Sequence, residues 1–588
     1  MCKVKTTLLV AIALIAMHLS YSQSNDLYLQ TSEMNDLMVK FNADHGIISR
    51  FYSSNGDRSE WWSNQQNDNY NSPDRRQRLL ALINGYLAKI EKQDFDKMNI
   101  NGRVDYLLFK RDLDDEKYKL EQEARDYAQV TKYLSFSEKI YALQKPRRRG
   151  LAVNGQEVAK ELNDISRQIK KSIDDLQKGD SVDSKQAKNA SDAVKGLQGT
   201  LKDYFTFYNG YDPLFTWWVP KTYSEVDSLL SSYATSLKKK SKLISSQKDD
   251  GSGIIGNPIG KEELIRQLKL EFIPYTPEEL VDIANKEFAW CDAELLKASK
   301  EMGFGDNWKA AQEKVKNSFV EAGKQPEAMY DLYRQSVDFL KKNDLVTIDP
   351  LAEEAWSMFM MTPERQLVNP FFLGGESLII SYPTNTMSYD DKMMSMRGNN
   401  PHFSRATVHH ELIAGHHMQE YMMNRYKNYR HFYTPFWVEG NSLYWELLLW
   451  DMKFPRSPED CIGMLFWRMH RCARIIFSLN YHLGKWTPQQ CIDFLVDRVG
   501  HERANAEGEV RRSFVGGYSP LYQIAYMIGG LQFYALKKEL VNTKKMTYKQ
   551  YHDAILHENS LPIEMLRAIL TNQSLKKDFK TNWRFYTK

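Results

Sequence analysis

The segment Val408–Gln419, VHHELIAGHHMQ, sets the strictest condition on how this chain can fold. Of 13 histidines none lies between His45 and His402, and five then fall within Pro401–His417, beside Glu411. Neutral imidazoles hold a divalent cation without cancelling its charge, and a carboxylate next to one of them can take a proton from water. In the usual HExxH pattern the two histidines stand four apart on one helical face. Here the residue four after His410 is Ala414, and the next histidines are His416 and His417. On an unbroken helix His416 would point about 120° around the axis from His410, while His417 would share its face about 10 Å further along. Neither pair closes on one ion. A metal reading therefore predicts a helix that is kinked, widened or restarted at Ala414-Gly415, glycine being the residue that permits this at low steric cost. The competing reading is a buried polar cluster of histidines without a metal.

A two-histidine site needs a third protein ligand and an open position. Glu439, in FWVEGNSLYWELLLW, is the candidate: a carboxylate among aromatic and aliphatic residues is costly unless a metal or an arginine meets it. Glu446 shares its face two turns on, and either hydrogen-bonds a ligand histidine or replaces Glu439. His417 is the alternative to His416, and a pair of buried salt bridges is the alternative role for the two glutamates. Glu411 is the expected general base. For an oxyanion donor the segment YSPLYQIAYMIGG offers Tyr518, Tyr522 and Tyr526 at a spacing of four, with Tyr526 or Tyr518 expected to donate and cleft-wall packing as the alternative. Downstream, Arg468, Arg471 and Arg474 accompany His470, His482 and His501. Arg474 or Arg468 could grip a substrate carboxylate in bidentate fashion, or pair with Glu502, Glu507 and Glu509 instead. His482 is expected as a further donor to the transition state or behind a ligand.

A chain of 588 residues can bury a large core. Lys+Arg 79 against Asp+Glu 75 leaves a formal net charge of +4, which gives no reason to invoke nucleic acid. The N-terminus MCKVKTTLLVAIALIAMHLSYSQ reads as a signal peptide, residues 1–22, cleaved after Ser22. Its apolar run Leu8–Leu19 is short for a membrane span. Cys2 precedes that run, so it cannot be a lipidated cysteine at the cleavage site, and an exported protein, periplasmic or extracellular and without a transmembrane segment, is expected. Cys291, Cys461, Cys472 and Cys491 remain, with room for one bridge among the last three.

Residues 23–250 read as long helices with apolar positions at three and four, a scaffold or one wall of a cleft. Gly251–Gly260, GSGIIGNPIG, is the best internal joint, and 261–588 is the catalytic helical region. TPEEL at Thr276–Leu280 is a helix start. Phe371–Pro383, FFLGGESLIISYP, is the one strand signal. It would hold substrate main chain by edge pairing, with Ser377 and Tyr382 as contacts, or be a small hairpin closing the core. Arg397–His402 is expected to be loop, leading to a helix from Ser404.

These residues resemble the bacterial family labelled domain of unknown function 885, helical secreted or lipid-anchored proteins related to zinc peptidases of the thimet-oligopeptidase and Taq-carboxypeptidase type. That family's centre, HExxPGHHxQ, is matched by His410–Gln419. Its block FxEGWALYxE is matched by Phe436–Glu446 with one residue of slack, and further matches end at His482 and surround Pro520, Tyr526 and Gly529. The similarity extends over most of the chain, including EFIPYTPEEL and SRATVHHE. It implies an all-α, zincin-like peptidase fold with a small β element, two-lobed around a deep central cleft, with Zn²⁺ on His410, His416 and Glu439. Three departures stand out: Ala414 for proline, Asn441-Ser442 for Trp-Ala, and Ser478 for aspartate. The expected activity is hydrolysis of short, unstructured peptides, with a leaning to the C-terminal side. The alternatives are an exported peptide- or metal-binding protein without activity, and a zinc amidohydrolase acting on a non-peptide amide such as a cell-wall fragment.

Overall fold

The computed structural model describes residues 30–52, 72–242, 249–366, 371 and 373–586. The predicted signal peptide lies outside them. The protein is 70% helix and 2% strand, and among the described residues no helix is long and apolar enough to cross a membrane.

The described residues divide into two compact units, one within 34–94 and 108–242, the other within 30–33, 95–107 and 249–586. In the first, the helices Gly155–Lys178, Ser184–Tyr208 and Pro220–Lys239 supply much of the core. Pro220–Lys239, through Val226, Leu230 and Leu237, packs on both of the others, which bring Leu162, Ile165 and Ile169 and Val194, Leu197 and Leu201 to the same core. This is the stripe that a three-and-four apolar spacing produces on a helix. The aromatic segment after Tyr211 forms a short helix, Pro213–Trp218, started by the Asp212 carboxylate accepting from the Phe215 amide.

The second unit carries the histidine cluster. Its segment 95–107 is fixed by a buried ion pair: Arg430 Nε donates to Asp105 at 2.7 Å, and the Tyr429 hydroxyl donates to the same carboxylate at 2.7 Å. Removing one partner of so deeply buried a pair typically costs about 3–5 kcal/mol. Pro277–Glu301 opens on the capping box that TPEEL announces, with Thr276 and Glu279 exchanging backbone bonds. It packs on the arginine helix Pro458–His482, which also packs on the histidine helix Pro401–Glu411. The glutamate helix Pro435–Asp451 crosses the tyrosine helix Tyr522–Lys537 at Gly440 and Gly529. A Cβ on Gly440 would come within 2.6 Å of Gly529 Cα, so the two backbones meet where any side chain would separate them.

Local expectations are corrected in three places. The histidine helix begins at Pro401, not Ser404, because Asn400 accepts from the amides of His402 and Phe403, and a further helix, Tyr389–Gly398, occupies part of the expected loop. The strand keeps only Ser377–Ile380. It pairs in parallel with Ser357–Met360, and Leu373 bridges Ile379 in the antiparallel sense, so the strand neither forms a hairpin with its sheet partner nor lies open along both edges. Finally, all four cysteines are free, and Cys472 shares a hydrogen bond with the Cys291 thiol of the facing helix, so none of the last three is bridged to another.

Candidate metal centre

The histidine helix ends at Glu411, Leu412 leaves the helical region, and a new helix, His416–Met423, starts from Gly415. The Gly415 amide reaches back to the His409 carbonyl at 2.9 Å. A Cβ on Gly415 would lie 1.8 Å from the His410 carbonyl oxygen, so only glycine fits this fold-back. The predicted restart is thus present. It sets the His410 and His416 rings 4.8 Å apart between centroids at 85°, both turned toward Glu439 of the next helix.

Glu439 Oε2 stands 3.4 Å from His410 Nε2 and 3.3 Å from His416 Nε2, and the three ligand atoms all lie within 4.8 Å of one another. That oxygen is buried and makes no hydrogen bond among the described residues. A tetrahedral ion bound at about 2.0–2.1 Å requires ligand atoms about 3.3–3.4 Å apart, which the two distances to Glu439 match. The other ring nitrogens are occupied. His410 Nδ1 is 2.8 Å from Glu446 Oε1, which also accepts from Arg471 at 3.2 Å. His416 Nδ1 lies 3.4 Å from both Gln419 Oε1 and Ser442 Oγ. A single proton on each Nδ1 would leave the Nε2 lone pairs facing the gap. Gln419 is itself held, its amide donating to Asn441 Oδ1 at 3.1 Å and Ser442 Oγ at 3.0 Å. Two residues that depart from the family pattern therefore serve as supports behind His416.

The three groups are coupled electrostatically. Burial opposes charge on His410, yet Glu439 and Glu446 outweigh it and raise its pKa to about 9. Burial would raise Glu439, but His416 and His410 hold it well below the usual carboxylate range. The Tyr522 hydroxyl donates to its second oxygen, and burial with Tyr526 and Glu439 nearby pushes the Tyr522 pKa far up, keeping that proton in place.

The remaining histidines of the cluster have other partners: His402 bonds Asp460, His409 is buried against Phe454, and His417 Nε2 bonds the Ala352 carbonyl at 2.7 Å, which removes it as the alternative ligand. Glu446 stands behind His410, outside the His410–His416–Glu439 group. A cavity of about 260 Å³ opens over the triad, and Glu411 lines it. Tyr518, Tyr522 and Tyr526 line it too, although Tyr518 precedes the helix and stacks on Tyr522 at 4.4 Å. The sequence favoured Tyr526 and Tyr518; the tyrosine that touches a ligand is Tyr522, and a spacing of four cannot rank the three. Arg474 lines the cavity with Nε on Glu509 at 2.7 Å, and Arg471 is beside it. Arg468 faces away, bonded to Glu287 at 2.6 Å and stacked on Trp290. His482 packs against Phe514 outside the cavity, about 12 Å along the helix from Arg474. Ser377 bonds Ser357 at 2.9 Å, and neither Ser377 nor Tyr382 is among the lining residues.

Residues 52–570 match the family described as bacterial protein of unknown function, DUF885. Among solved structures, a candidate lipoprotein of unknown function from Shewanella oneidensis is similar with a TM-score of 0.65 at 16% identity, covering 92% of this chain and 100% of that one. Another candidate lipoprotein, from Colwellia psychrerythraea, has a TM-score of 0.57 at 13% identity over 92% of this chain and 98% of that one. At these identities the likeness is one of fold. No curated protein matches.

Proposed function

We propose, from the premise that this chain belongs to the bacterial DUF885 family, that it is an exported zinc-dependent peptidase of zincin-like type, acting on short, unstructured peptides. The observation that carries the reading is the convergence of His410 Nε2, His416 Nε2 and the unpartnered Glu439 Oε2 at the base of a cavity that Glu411 also lines. Two nitrogens and one carboxylate oxygen with an open fourth position are the ligand set of catalytic zinc. Bound there, zinc would supply Lewis acidity, polarising a carbonyl and acidifying water.

The chain's own groups would do the rest. Glu446 and the Gln419–Ser442 pair fix both imidazoles through Nδ1. Glu411 would accept a proton from water and return it to the departing amine. Tyr522, held on Glu439, and Tyr526, whose ring lies parallel to that of His410 at 6.1 Å, are the hydroxyls available to a developing oxyanion. A site of about 260 Å³ would suit a short peptide better than a folded protein. Export follows from the predicted signal peptide, and the candidate lipoproteins among the structural neighbours are in keeping with it.

The test is cleavage of a mixed library of short peptides by the full mature chain. The zinc-loaded protein is expected to cleave, chelation to abolish cleavage, and stoichiometric zinc to restore it. A protein that holds zinc yet cleaves no peptide would instead be a binder, and one that cleaves only cell-wall amides would be an amidohydrolase.

A further inference from the structure

Four arginines line the cavity above the triad, and three are already matched. Arg471 Nη2 lies 3.2 Å from Glu446 Oε1. Arg474 and Arg512 share one carboxylate, Glu509, at 2.7 and 2.5 Å. Arg365 is the exception. It is exposed, belongs to the short helix Pro363–Gln366, and its guanidinium has no carboxylate or other side-chain partner among the described residues. The cavity therefore runs from the buried triad to an exposed, unmatched guanidinium, with two further arginines sharing a single negative charge along its wall.

We propose, building on the peptidase reading, that Arg365 is a specificity-determining residue that takes the terminal carboxylate of a peptide substrate. A planar guanidinium offers two parallel N–H bonds to a carboxylate, and the pair is stronger than a neutral contact. A cavity of about 260 Å³ lies just below the roughly 300–1,000 Å³ of ordinary ligand pockets, so a chain end enters more readily than the middle of a chain. The carboxylate could come from the C-terminus or from an acidic side chain, and the geometry favours the C-terminus. Arg468 and Arg474, the sequence-level candidates for this role, are already occupied by Glu287 and Glu509.

The test uses three peptides of one sequence: the free acid, its C-terminal amide, and an amide ending in glutamate. Cleavage is followed in the wild type, Arg365→Gln and Arg365→Lys. Binding of the same peptides is followed with zinc-loaded Glu411→Gln, alone and combined with Arg365→Gln. The free acid is expected to be cleaved and bound about 10- to 100-fold better than the amide, as a charge-assisted bond implies. Arg365→Gln should erase that preference through KM, and Arg365→Lys should restore part of it. Equal use of acid and amide by the wild type, or a preference that survives Arg365→Gln, overturns the assignment while leaving the peptidase reading intact. An amide ending in glutamate that performs like the free acid overturns the choice of the C-terminus. A wild type that cleaves none of the three, while the zinc-loaded variant binds the free acid through Arg365, sinks the peptidase reading and keeps the carboxylate site.

Discussion

Replacing Glu411 by glutamine is expected to lower peptide cleavage by about 10²–10⁴-fold, the usual worth of a positioned general base, while leaving zinc bound at one equivalent. The separation of the two readouts follows from where Glu411 sits. It ends the histidine helix directly after His410, lines the cavity, and has no hydrogen-bond or ion-pair partner among the described residues. It is also not one of the three ligand residues, His410, His416 and Glu439. Glutamine keeps the size of the side chain and removes its basicity. Zinc content and kcat/KM measured on the same preparation check this; equal loss of zinc and activity would mean that Glu411 holds the metal, and undiminished cleavage would remove it from the mechanism.

Gly415→Ala is expected to be the most damaging single methyl group in the chain for metal binding. Its Cβ would fall 1.8 Å from the His410 carbonyl oxygen and 2.7 Å from that of His409, and both obstacles are backbone. The fold-back must open, which carries His416 away from His410 and Glu439. Overpacking a rigid site costs about 1–3 kcal/mol, and contact with main chain places this change at the upper end. A lower thermal midpoint together with loss of stoichiometric zinc is the expected result. Gly199→Ala is the control: it lies within the helix Ser184–Tyr208 with nothing within 4 Å of the added Cβ. There alanine should be neutral or add up to about 1 kcal/mol through helix propensity. If the two substitutions behave alike, the fold-back is not what assembles the triad.

How much of this could be read from the chain depends on the range of the interaction. Helix positions were legible because three-and-four apolar spacing and a cap such as Thr276 are local. The triad was legible because the spacing of His410 and His416 forces a break and Gly415 is the residue that permits one. Partner choice was not. Whether Glu446 binds the ion or stands behind His410 depends on the approach of two helices. Arg468 and Arg474 are six apart on one helix, about 120° around its axis, which turns them to different partners, Glu287 and Glu509. Tyr522 differs from its two neighbours only in meeting Glu439. The strand Ser357–Met360 was missed because SMFM carries no alternation, and its partner Ser377–Ile380 lies 20 residues on.

The most direct test is anomalous diffraction at the zinc edge from crystals of the full chain grown with zinc. A single peak about 2.0–2.2 Å from His410 Nε2, His416 Nε2 and a Glu439 carboxylate oxygen is the result predicted here. Density showing a continuous helix through Gly415, imidazoles pointing apart and no peak between them would contradict it.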